Sequence, residues 1–316
     1  MKQAKIVVVG SFNVDITGYA ERLPRNGETV FGHSVSMGPG GKGFNQATGA
    51  HRAGAEVAMV AGIGKDDFSS FAHRQFAVEG LSEQYVAEMA EHGTGCALIE
   101  VDGQSGENRI VVVQGANAHL SRAHVRAAEA EIASADLVLT QLETNLEAVD
   151  ELKRFAKKHG KRLVVNPAPF GPVPEGFFEG VDVFTPNETE AEYYSGIAVK
   201  TEADAAAAAE KMRALGVKRV VITMGSRGAY CADEDESGMV ASPVVKAVDT
   251  VGAGDAFTGA LCTRLAEGNT LMDAARFAAC FAALAVTRKG ACSAMPTRAE
   301  AEVFQREFEA AKLANL

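Results

Sequence analysis

Short apolar runs alternate with longer stretches of helical periodicity through most of this chain. Residues 5–9, 57–61, 136–140, 162–165, 181–184 and 219–223 have the length and apolar character of strands in a sheet covered on both faces. Residues 44–52, 66–79, 147–159, the Ala-rich 202–215 and the apolar 270–286 are predicted helices. A further helix is predicted behind Asp255, where Phe257, Leu261 and Leu265 recur at fourfold spacing. Two stretches break the alternation. Residues 29–37 mix apolar and small polar side chains, as an edge strand does. Residues 96–101 and 109–113 flank a turn starting Asp102-Gly103, and read as a hairpin. The pattern predicts an α/β chain, with a central, mostly parallel sheet and helices on both faces. Residues 1–316 are expected to form one domain. The hairpin is expected to leave the main sheet and form a small β-lid from about 14–38 and 95–114.

The predicted strands end in polar or glycine-rich residues: Asn13 and Asp15, Gln141 and Glu143, Asn166, Asn187 and Glu190, Gly225 and Gly228, and the run Asp249 to Asp255. A parallel sheet puts such ends on one edge, where open α/β sheets bind ligands. One such ending is ordinary loop chemistry; six favour a shared cleft. Asn13, Asp15, Asn45 and Glu143 offer the directional donors and acceptors that a polyhydroxylated ligand requires. Lys42 lies among Gly40, Gly41 and Gly43 and is placed to meet a hydroxyl or a phosphate, or solvent. Asn187 and Glu190 are spaced to face a hydrated Mg²⁺, or to start an acidic helix. Gly225, Ser226 and Gly228 offer backbone amides to phosphates, or make a plain turn between strands.

Val248 to Gly259 carries the most specific chemistry. Gly252 and Gly254 precede Asp255 at a predicted helix N-terminus, where free amides and the helix dipole favour negative charge. Asp255 is either the cap of that helix or a general base set in an anion hole.

The 316 residues, 47% of them hydrophobic, allow a large core. A formal net charge of −10 disfavours nucleic acid and anionic membrane surfaces. Cys96, Cys231, Cys262, Cys280 and Cys292 are scattered and odd in number, which fits buried thiols in a reducing cytoplasm. No run reaches membrane length. The P-loop signature fails because Gly43 follows Lys42, and the dinucleotide signature fails because Phe257 stands where a third glycine is needed.

The Gly41-Lys42-Gly43-Phe44-Asn45-Gln46 and Asp249-Thr250-Val251-Gly252-Ala253-Gly254-Asp255-Ala256-Phe257 blocks resemble the two signatures of the ribokinase-like, or PfkB, carbohydrate kinases. Between and after them, Gly115-Ala116-Asn117, Gln141-Leu142-Glu143, Asn166-Pro167-Ala168-Pro169, Thr185 to Glu190 and Val286 to Ala291 resemble the ribokinase branch in particular. The likeness runs from about Val8 to Pro296. It implies a kinase that moves the γ-phosphoryl of ATP to a primary hydroxyl of a pentose, with O5 of D-ribose as the expected acceptor. It implies Asp255 as base and the amides of Ala253, Gly254 and Asp255, after Gly252, as anion hole. Asn13, Asp15, Gly41, Lys42, Asn45 and Glu143 would hold the sugar. Asn187, Thr223, Gly225, Ser226 and Gly228, with Gly254, would line the ATP site, and Asn187 and Glu190 would also organise Mg²⁺. Asp249 and Val251, closed by backbone carbonyls of Ala285, Arg288 and Gly290, would hold a monovalent cation, expected to be K⁺. The lid would cover the sugar and pair two subunits into a homodimer.

The chain departs from the pattern at three places. Phe44 replaces a usual Ala beside Asn45, where a phenyl ring can narrow or re-aim the sugar pocket. Ala279 replaces a frequent His or Asn of the adenine site. Ala294 replaces a serine of the cation site, with Ser293 adjacent. Other acceptors stay open: 2-deoxyribose, a nucleoside or a hexose. So does a non-catalytic sugar sensor, while an NAD-dependent oxidoreductase is disfavoured by the failed dinucleotide signature.

Overall fold

The computed structural model describes residues 3–314. In chain order the elements are β1 (Lys5–Val9), β2 (Asn13–Ala20), β3 (Gly32–Gly40), α1 (Lys42–Arg52), β4 (Glu56–Gly64), α2 (Ser69–Glu79), β5 (Ser82–Met89), β6 (Cys96–Asp102), β7 (Asn108–Val113), α3 (Arg122–Ala127) and α4 (Glu129–Ser134). Then follow β8 (Leu137–Thr140), α5 (Leu146–Lys158), β9 (Arg162–Val165), β10 (Val183–Phe184), α6 (Glu188–Ser195), α7 (Glu202–Ala214), β11 (Arg219–Thr223), β12 (Ala229–Ala232), β13 (Ser237–Val240), α8 (Ala253–Ala266), α9 (Leu271–Ala285) and α10 (Arg298–Ala314). Among the described residues no helix is long and apolar enough to cross a membrane.

Nine strands form one sheet in the order β13-β12-β11-β10-β9-β8-β1-β4-β5. Strands from β5 through to β11 pair in parallel, and β12 alone runs against the rest. Alternation along β1 divides the core. Ile6 and Val8 join a cluster with Phe44 of α1, Phe257 of α8 and Phe277 of α9. Val7 and Val9 point the other way, to a cluster with Leu152 and Phe155 of α5 and Met212 of α7. Both faces of the sheet are thus covered by helices, as the continuous apolar strands predict.

The remaining strands make a separate four-stranded sheet, β3-β2-β6-β7. The hairpin β6–β7 is antiparallel, and β6 joins β2 in parallel, with Asp15 opposite Ala97. β3 begins later than the sequence suggests and runs through Pro39 to Gly40. Its edge position tolerates a proline, which has no amide to donate. β5 was not anticipated. It is a half-exposed edge strand that alternates charged and apolar residues weakly.

Two glycines bring the site together. A Cβ on Gly43 would fall 2.4 Å from the Ser11 nitrogen, so only glycine lets the start of α1 press against the end of β1. Gly252 caps α8 at φ 75°, and a Cβ there would meet Ala291 at 2.8 Å. The loop before α8 is in this way seated on the loop after α9.

Candidate active site

Asp255 lies in the first turn of α8 and is 7% exposed. The helix has no side-chain cap, so the alternative reading of Asp255 as its cap is not realised. The carboxylate is instead held by α1. Asn45 Nδ2 donates to Oδ2 at 3.0 Å, and Gln46 Nε2 donates to Oδ1 at 2.9 Å. Asn45 Oδ1 in turn meets the buried Cys292 thiol at 2.9 Å. Asn45 was expected to face the sugar; one of its two amide hydrogens is used on Asp255.

Around Asp255 the charged groups come from four elements. Asp255 holds the partly buried Lys42 ammonium above its ordinary pKa, with burial opposing and Glu143 and Glu190 adding. Burial, then the charges of Glu143 and Asp255, push the Asp15 carboxyl up to about 7. Glu190 is raised by burial, opposed by the Asn187 amide and by Lys42. The first turns of α1, α6 and α8 therefore converge with the start of β2 on one polar pocket. Glu143 Oε2 accepts from Ser11 Oγ at 2.5 Å and from the Lys42 amide at 2.9 Å. Asn13 Oδ1 accepts from Asn117 Nδ2 at 2.8 Å, and Asn117 is itself fixed to both backbone groups of Phe12. Gly41 closes this wall just before α1, at φ 85°.

Phe44 does not narrow the pocket. It is fully buried on a different face of α1, edge-on to Phe12 and Phe76 with ring centroids 5.1 and 5.0 Å away. The 3.6-residue period explains the correction, because neighbouring positions on a helix diverge by about 100°. Asn45 turns toward Asp255 while Phe44 turns into the core.

Beyond Asp255 lies a cleft of about 300 Å³. Thr223, Gly225, Ser226, Gly228, Ala253 and Gly254 line it, so the residues expected at the ATP site, Asn187 excepted, share one cavity. Its far wall is apolar: Val244, Val245 and Ala247 face Ala279, Ala282, Ala283 and Val286. The 242–247 segment carries no motif, and sequence reasoning passed over it. Ala279 leaves its part of this wall without a polar group.

Asn187 and Glu190 form a reciprocal capping box. The Asn187 amide donates to Glu190 Oε2, and the Glu190 amide to Asn187 Oδ1, each at 2.9 Å. The helix-start reading is thus realised. Asn187 lies beside Thr223 through an isolated bridge. Among the described residues no three His, Cys, Asp or Glu side chains converge as a metal cage. Asp249 spans two loops, Oδ1 accepting from Val251 N at 3.0 Å and Oδ2 from Gly290 N at 2.9 Å. The Ala285 carbonyl accepts from Arg288 N at 3.0 Å. Ser293 Oγ donates to the Lys289 carbonyl within its own loop.

This geometry coincides with a clear kinship. Residues 3–298 match the pfkB family carbohydrate kinase profile. The chain belongs to the pfkB family of carbohydrate kinases. It is 40% identical over 295 residues to a ribokinase of Haemophilus influenzae, covering 93% of this chain and 96% of the relative. A deoxyribokinase of Salmonella typhi is 35% identical over 293 residues, 92% and 95% of the two chains. Among solved structures, Arabidopsis thaliana ribokinase complexed with ribose and ATP is similar at a TM-score of 0.88 and 30% identity, covering 97% of this chain and 99% of the other. Ser11, Gln46 and Asn117 are the polar residues to which sequence reasoning gave no task. Gln46 and Asn117 already stood inside the motif blocks; only the fold shows what they touch.

Proposed function

We propose that this kinase transfers the γ-phosphoryl group of ATP to the 5-hydroxyl of D-ribose, giving ribose 5-phosphate. The observation that carries the proposal is the placement of Asp255. It is a carboxylate that does not cap its helix but stands in the first turn, between a polar pocket and an apolar cleft. The polar pocket suits a sugar, with Asn13, Asp15, Gly41, Lys42, Asn45 and Glu143 as its hydrogen-bonding wall. The cleft suits ATP, its adenine against the apolar wall and its phosphates at Gly225, Ser226 and Gly228.

Asp255 receives the proton of the attacking hydroxyl. A carboxylate is a weak base, which suffices because phosphoryl transfer is loose and the proton leaves late. The amides of Ala253, Gly254 and Asp255 face the charge that develops on the phosphoryl oxygens. Lys42 adds positive charge to the same space.

Asn187 and Glu190 fit a Mg²⁺ held largely through water, since each Glu190 oxygen keeps a lone pair beyond its bond to Asn187. The ion would neutralise phosphate charge. Asp249 and the carbonyls of Val251, Ala285, Arg288 and Gly290 are an all-oxygen set, which suits K⁺. The small sheet serves as the lid over the sugar. Its outer surface leaves Val35, Met37, Leu98, Val111 and Val113 exposed, which supports a homodimer formed through this face. The five free cysteines are consistent with a cytoplasmic protein. The Salmonella typhi relative makes 2-deoxyribose the second acceptor to consider.

An ADP-release assay across pentoses, 2-deoxyribose, hexoses and nucleosides, in K⁺ and in Na⁺, tests the assignment. Ribose should give the highest kcat/KM. Asp255→Asn should lower kcat by roughly 10²–10⁴ with little change in KM. Turnover near wild type in that variant would remove Asp255 from the role of base.

A further inference from the structure

We propose that Gln46 is a positioning residue for Asp255, and that a chain of buried carboxamides running back to the Thr185 carbonyl fixes which end of Gln46 the base meets. The inference rests on the reading of Asp255 as base. Gln46 Nε2 is shared between Asp255 Oδ1 and Asn166 Oδ1, 2.9 Å from each. Asn166 Nδ2 donates to the Thr185 carbonyl at 2.6 Å. Gln46 Oε1 accepts from Gln141 Nε2 at 2.6 Å. Gln46 is fully buried, Gln141 is 1% exposed and Asn166 9%.

A side-chain amide has a donor end and an acceptor end, and the sequence of contacts leaves no freedom between them. The Thr185 carbonyl only accepts, so Asn166 must present Nδ2 to it. That leaves Asn166 Oδ1 facing Gln46, which must answer with Nε2. The same nitrogen then points at Asp255, and Gln46 Oε1 turns to Gln141. Reversing Gln46 would set its oxygen against both Asp255 Oδ1 and Asn166 Oδ1. The carboxylate thus meets a donor on each oxygen, Asn45 on one and Gln46 on the other, from adjacent positions of one helix. Two donors hold the carboxyl plane in a fixed direction. The other charged or titratable groups acting at Asp255 are Lys42 of α1, Asp15 of β2, Glu190 of α6 and the Cys292 thiol. None of these fixes its orientation by a hydrogen bond.

The test compares Gln46→Met, which keeps length and loses the donor, with Asn166→Leu, which breaks the chain without touching Asp255. Steady-state kinetics are measured with ribose and ATP varied separately, with thermal melting of each variant. Loss of a hydrogen bond to a charged group predicts a fall in kcat of roughly ten- to a hundredfold for Gln46→Met. KM for both substrates should hold, so that the loss falls on kcat. Asn166→Leu should lower kcat in the same way by less, again with KM unchanged. A folded Gln46→Met with wild-type kcat would overturn the proposal. If Gln46→Met does not fold, Asn166→Leu decides on the same split between kcat and KM. If Asp255→Asn itself keeps wild-type turnover, the base assignment fails instead, and the two failures are told apart.

Discussion

Asn45 reaches from the first turn of α1 to Asp255 in the first turn of α8, Nδ2 to Oδ2 at 3.0 Å. Two helix N-termini are thereby tied at the point where the polar pocket meets the apolar cleft. The same Asn45 is held on its other side by Cys292. Asn45→Ala should leave Asp255 Oδ2 without its donor and lower kcat by roughly ten- to a hundredfold. If Asn45 also holds the sugar with its second amide hydrogen, KM for ribose rises as well. Kinetics that vary ribose and ATP separately distinguish a lost base contact from a lost sugar contact.

Asp15 carries the most informative pH dependence. Burial, with Glu143 and Asp255 adding repulsion, raises its carboxyl to about 7 in the folded protein. An unfolded chain releases that proton at about 4. Between those values the folded state holds the extra proton, so this group's contribution to stability is present at low pH and is lost as pH rises from about 4 to about 7. Asp15→Asn removes the titration. The variant should melt higher than wild type at pH 8 in the absence of ligand, and the gap should close toward pH 5. A gap of equal size at both pH values would show that Asp15 is not the source.

Phe44→Ala separates packing from specificity. Phe44 packs on Phe12 and Phe76 and has no exposed surface. The substitution should cost about 3–5 kcal/mol of folding stability, as a buried Phe→Ala change does. The ratio of kcat/KM for ribose over 2-deoxyribose should be unchanged. Denaturant melts and the two-substrate comparison check both halves, and a changed preference would return Phe44 to the pocket wall.

How far the sequence could be read follows from where each signal resides. β1 was legible because burial on both faces makes it uniformly apolar. The hairpin β6–β7 was legible from its turn residues, though not that β6 would join β2 in parallel. β5, β12 and β13 were missed. The first is a half-exposed edge strand, and the other two are runs of four residues too short to separate from loop. Asp255 was found by its glycines, but its partner Gln46 stands 209 residues away, and no local pattern encodes that contact. Phe44 went wrong for the converse reason. Phe44 is adjacent to Asn45 in sequence, but the helix turns the two side chains onto different faces.

Asp249 joins the loop before α8 to the loop after α9, and the proposed cation site depends on that junction. Its two carboxylate oxygens accept from Val251 N and Gly290 N, and Val286 O accepts from the amides of both Val248 and Asp249. The backbone of Val251 leads directly into Gly252 and the amides at the start of α8, so an ion held by Asp249 would act on the proposed anion hole through three residues of chain. Asp249→Ala should remove the charge that holds the ion and free both amides. The ratio of turnover in K⁺ to turnover in tetramethylammonium should fall to one in the variant, with kcat at the level of wild type without K⁺. Ala294 sets the scale of the effect. If that position supplies no oxygen, wild-type activation is already modest, and Ala294→Ser should increase it while leaving the turnover without K⁺ unchanged. Activation by K⁺ that persists in Asp249→Ala would place the ion elsewhere, and the same two variants measured at several K⁺ concentrations give the apparent affinity that decides it.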